Sequence, residues 1–126
     1  MCENNNEVTL NNTGDTCSIE YSKYFKFLIK NFGHVNLRGC AQLAQVINLY
    51  NITKPEMLKC YKAVAEKENT SVTAVERNIR TYIDCITETY TIAELSSTLN
   101  YTFKPGIERL TASDLLPALK MYIDEI

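Results

Sequence analysis

The sequence contains no tryptophan, one histidine and four glycines among 126 residues. A single histidine excludes zinc sites built on paired histidines and leaves one candidate, His34, for any Ser–His or Cys–His couple. Its expected place is at a helix end. The glycines at 14, 33, 39 and 106 are dispersed, which excludes the dinucleotide and P-loop fingerprints. No apolar run approaches the roughly 18–20 residues of a bilayer span, and the start MCENNNEVTL has neither the basic nor the apolar region of a signal peptide. A cytoplasmic protein without a membrane partner is expected. The five cysteines form no C-x-x-C pair, so neither a disulfide framework nor a zinc knuckle is indicated and reduced thiols are expected. No catalytic, metal or cofactor residue emerges, and the sequence reads as that of a non-enzyme.

Hydrophobic residues make up 45% and charged residues 22%, the composition of one globular domain. The net charge of −2 hides a segregation. Residues 1–20 carry four acidic groups and no basic one, residues 21–80 carry ten basic against four acidic, and residues 81–126 carry three basic against seven acidic. A basic centre between acidic ends suits nucleic acid, although a solvated helical surface gives the same count.

Residues 1–17 are polar and aperiodic and read as a flexible leader to a domain over 18–126. Ser18 is the predicted cap of a first helix with Tyr21, Tyr24, Phe25, Leu28, Ile29 and Phe32 on its apolar face, ended by Gly33. Leu37, Cys40, Ala41, Leu43, Ala44, Ile47 and Tyr50 mark a second. Thr53-Lys54-Pro55-Glu56 reads as a capping box opening a third helix, whose apolar face is Met57, Leu58, Tyr61, Val64 and Ala65. After a turn over Glu66–Thr70, a fourth helix from about Ser71 carries Val72, Val75, Ile79, Tyr82, Ile83 and Ile86. Thr91 and Glu94 form a capping box for a short fifth helix through Leu99. For the last helix Thr111 and Ser113 compete as cap; Ser113 keeps Pro117 in the first turn and is the predicted one. The fold class is all-α, with about six helices.

The third and fourth helices, joined by a compact turn with Ala65 at their crossing, match a helix-turn-helix. The fourth then presents Thr73, Glu76, Arg77 and Arg80 outward, where arginine can pair with guanine and glutamate can accept from cytosine. The same spacing also permits an ordinary i,i+4 surface pair between Glu76 and Arg80. Glu66 and Glu68, beside Lys67, read as solvated turn carboxylates.

The stretch from Cys60 to Arg80, with its core Val75-Glu76-Arg77-Asn78-Ile79-Arg80, resembles the DNA-binding effector half of the stage-zero sporulation response regulator family. The likeness runs from about Tyr24 to the C-terminus. It implies a six-helix effector domain in which Glu76, Arg77 and Arg80 match base- and phosphate-contacting positions, Thr73 a polar contact and Lys67 a basic residue before the turn. It further implies dimers on tandem sites, and the wide apolar stripe of the terminal helix, with Tyr122 and Ile123, is expected to contribute to that self-association. Three departures stand out: Ala74 replaces an arginine, Glu66 a lysine, and Glu68 an aromatic packed in the turn. No stretch as long as a receiver domain precedes the first helix, so control by receiver phosphorylation is not expected. The readings are therefore a transcriptional regulator of double-stranded DNA, or an interaction protein that keeps the fold and binds a related regulator or RNA polymerase.

Overall fold

The computed structural model describes residues 15–33 and 37–126. Among them lie six helices and no strand: α1 (Asp15–Phe32), α2 (Leu37–Leu49), α3 (Met57–Lys67), α4 (Val72–Thr89), α5 (Ile92–Leu99) and α6 (Ala112–Glu125). Residues 1–14 of the predicted leader, and His34, lie outside the described residues.

Three helix starts differ from the sequence reading. α1 begins at Asp15, so Ser18 lies inside the helix rather than capping it; Asp15 is itself a cap-favouring residue type. α3 begins at Met57 instead of Thr53. Asn51 Oδ1 accepts from the Thr53 backbone N–H at 3.0 Å and from its hydroxyl at 2.8 Å. This Asx turn takes the Thr53 backbone N–H, which in a capping box would have donated to the Glu56 carboxylate. α6 is entered at Thr111, not Ser113: the Thr111 N–H and hydroxyl both donate to Asp114 Oδ2, at 2.9 and 3.0 Å. Pro117 therefore sits in the helix interior, where it leaves one carbonyl without its backbone donor. The Thr91–Glu94 box forms as read, with bonds of 2.8 and 3.0 Å.

α2 is the centre of the fold. Every residue from Gln42 to Ile47 is buried, and the helix packs against α1, α3, α4 and α6. Small Cys40 and Ala44, both fully buried, let neighbours approach closely. From α4, Val75, Ile79, Tyr82, Ile83 and Ile86 close on this core, each large aliphatic contributing about 1.5–3 kcal/mol by burial. The Tyr82 hydroxyl lies 3.2 Å from the Leu28 carbonyl and 3.3 Å from that of Gly33, tying the end of α1 to the middle of α4. Leu58, assigned to the buried face of α3, is 58% exposed, and Cys60 is buried on that helix with Tyr61, Val64 and Ala65. On α6, Ile123 is buried and the Tyr122 ring packs on Phe27 at 5.6 Å. These two side chains serve the domain's own packing, and the exposed large apolars here are Met121 on α6 and Ile126 just past its end.

Candidate nucleic-acid interface

The α3–α4 connection is short because asparagine closes it. Asn69 adopts a left-handed conformation (φ 55°), which asparagine tolerates better than most residues. The Thr70 N–H reaches the Ala65 carbonyl at 2.9 Å and the Asn69 N–H reaches that of Glu66 at 3.3 Å, the paired bonds of a Schellman ending. Ser71 Oγ then accepts from the Ala74 N–H at 3.1 Å and starts α4. Ala65, in the last turns of α3, is buried at 4% exposed.

Thr73, Glu76, Arg77 and Arg80 are all exposed on α4. With 3.6 residues per turn they occupy one flank spanning about 100°, turned away from Ile79. Lys67 is exposed in the last turn of α3, where a cation suits the helix dipole. Glu76 and Arg80 share the wall of a groove of about 570 Å³ with Leu58 and Tyr61 of α3 and Arg109–Ser113 before and within α6; Thr73 and Arg77 are not among its lining residues. Burial pushes the Tyr61 phenol up to about 12, with the Glu76 carboxylate adding to the rise and Arg80 opposing it.

The i,i+4 pair between Glu76 and Arg80 does not form, whereas Lys23–Asp124, Lys59–Glu56 and Arg109–Asp84 do pair. Both α4 arginines thus project from the flank outside any such pair. Farther along α4, Asp84 is engaged by Arg109 at 2.7 Å, which compensates a negative charge at the far end of the surface.

One participant escaped the sequence reading. Glu68 is not simply solvated: Oε1 accepts from Gln42 Nε2 at 2.8 Å and Oε2 from Gln45 Nε2 at 2.7 Å. Gln42 Oε1 in turn accepts from Asn78 Nδ2 of α4 at 3.1 Å. The glutamines are 1% and 5% exposed, and only their position inside an otherwise apolar helix hinted that they needed partners.

Among the described residues no group of three His, Cys, Asp or Glu side chains is placed to hold a metal, and no helix is long and apolar enough to cross a membrane. The comparisons with curated proteins and with solved structures return no match. Residues 34–123 match the family model for the sporulation initiation factor Spo0A C terminal, a span that contains α2 to α5, the α3–α4 pair and most of α6. The chain therefore belongs to the Spo0A C-terminal family, a regulatory DNA-binding effector domain of sporulation and not a catalytic one.

Proposed function

We propose that this chain is a sequence-specific transcriptional regulator of double-stranded DNA, working where the chromosome is, in the cytoplasm. α3 and α4 act as the helix-turn-helix, with α4 in the major groove and α3 against the backbone. Arg77 and Arg80 read guanine edges, Glu76 accepts from cytosine, Thr73 supplies a polar contact and Lys67 meets a phosphate. The observation that carries this reading is the exposed flank on which both arginines remain outside any ion pair, next to a turn built from local bonds. Two copies on adjacent sites would use the exposed Met121 of α6 and Ile126 after it rather than Tyr122 and Ile123.

The competing reading, a protein that binds a related regulator or RNA polymerase instead of DNA, is favoured by the exposed carboxylate of Glu66 and the uncharged Ala74 beside the same surface. Both reduce the number of phosphates the surface can neutralise. Fluorescence anisotropy with a duplex selected from a random library and with a scrambled duplex, each at two salt concentrations, separates the two. Preference for the selected duplex that persists at the higher salt supports the first; equal or absent binding of both duplexes supports the second.

A further inference from the structure

Glu68 stands at the start of the α3–α4 turn with its carboxylate turned back onto α2, where it receives one amide donor on each oxygen. The bond from Asn78 to Gln42 continues the chain of contacts to α4, so one carboxylate joins three elements. Apolar packing alone resists rotation of a helix about its axis weakly, since neighbouring side chains interdigitate in more than one way. A directional hydrogen-bonded chain running through the buried Gln42 and Gln45 has one geometry. Asn78 lies on the α2-facing flank of α4, across from the flank bearing Thr73, Arg77 and Arg80, and any roll of α4 that displaces it swings the arginines by the same angle.

We propose that Glu68 is a positioning residue for DNA recognition, which sets through Gln42 and Asn78 the rotation of α4 and thereby the aim of Arg77 and Arg80; this rests on the DNA-reading function proposed above. The carboxylate acts by accepting two bonds, and its negative charge is incidental. Phosphate contacts tolerate small displacements and planar two-donor contacts to a base do not. Loosening the clamp therefore reduces discrimination more than overall attraction.

Gln45 Oε1 is the one buried side-chain polar atom without a partner among the described residues, and it makes the clamp testable by a near-isosteric change. In Glu68→Gln the new amide would face a donor, but Gln45 can turn its amide over so that this idle oxygen accepts from it, giving up the weaker 3.3 Å bond that its Nε2 donates to the Ala41 carbonyl. Glu68→Gln should therefore retain the clamp, whereas Glu68→Ala removes both acceptors.

The experiment has two arms on the full chain. Amide hydrogen exchange over residues 73–80 without DNA should be about tenfold faster in Glu68→Ala and unchanged in Glu68→Gln, measured against global stability in the same samples. The ratio of affinities for a selected and a scrambled duplex should fall about tenfold in Glu68→Ala through loss on the selected duplex, and stay within about threefold of the parent in Glu68→Gln. Asn78→Ala, which breaks the far link and leaves both bonds to Glu68 in place, should lower the ratio as well and stands in if Glu68→Ala does not fold. Unchanged exchange in α4, equal damage from Glu68→Gln and Glu68→Ala, or tighter binding of both duplexes once the charge is removed would each overturn the proposal. A parent chain that prefers no duplex overturns the DNA function itself, and the exchange arm still decides whether the clamp fixes α4.

Discussion

The Tyr24 hydroxyl donates a 2.7 Å hydrogen bond to Asp124 Oδ1, joining α1 to α6 across a hundred positions of sequence. Lys23 reaches the same oxygen at 2.9 Å. Burial opposes ionisation of Asp124, and the Tyr24 bond together with the Lys23 and Lys120 ammonium groups outweighs it, holding the carboxyl below its ordinary value.

A carboxyl whose folded-state value is depressed adds stability above its unfolded value and loses it as the pH falls through the folded one. Asp124→Asn should therefore melt a few degrees below the parent at pH 7. The difference should shrink as the pH drops below about 4, the ordinary aspartate range. Thermal unfolding followed by circular dichroism from pH 7 to pH 2.5 checks this, and a gap that stays constant with pH would mean the ionised form is not what α1 recognises.

Arg77→Ala and Arg80→Ala should each cost about 1–3 kcal/mol on a selected duplex and relax preference at one base position, with weak binding to scrambled DNA retained. Lysine should rescue little, because it lacks the planar fork. Lys67→Ala should weaken all duplexes alike and lower the salt slope by about one. Anisotropy titrations at several salt concentrations measure all five variants. Melting should hardly change for the arginine variants, since both side chains lie outside the core.

At the entry to α6, Asp114→Ala should cost about 1 kcal/mol, because it removes the acceptor for both Thr111 donors. Ser113→Ala should be nearly silent. Pro117→Ala should raise the melting temperature by restoring a backbone donor inside the helix. Denaturant titration of the three variants tests the assignment of Thr111 as the cap; a larger loss from Ser113→Ala than from Asp114→Ala would reverse it.

Burial pushes the Cys40 thiol up to about 11 and raises Cys60 as well. Since the thiolate is the nucleophile, iodoacetamide at pH 8 should modify both far more slowly in the folded chain than in urea. Peptide mapping by mass spectrometry reports each cysteine separately.

These results show which parts of the molecule a linear sequence discloses. The start of α4 near Ser71, the Thr91–Glu94 box and the Val75–Ile79–Ile83 stripe were legible because each is decided within a few residues. Thr53 misled because Asn51, two positions earlier, offered its backbone N–H a nearer acceptor than Glu56. Ser113 misled because the rule that keeps proline out of helix interiors yielded to the reach of Asp114 back to Thr111. The arginines of α4 could be placed on a flank from spacing alone, but whether Glu76 neutralised Arg80 is a question of side-chain direction. The Glu68 clamp was invisible: its partners lie 23 and 26 positions away, and neither glutamine is unusual until α2 is known to be enclosed on all sides.

That enclosure makes α2 an axle on which the other helices are mounted. A backbone cut in the exposed stretch 51–56 would leave α1 and α2 on one fragment and α3 to α6 on the other, each lacking the surface that covers its apolar side chains. Neither piece should fold alone, but mixed they should reassociate, because the broken segment contributes no buried side chain. Split at that point, the domain becomes a reporter whose folding depends on bringing two fused partners together.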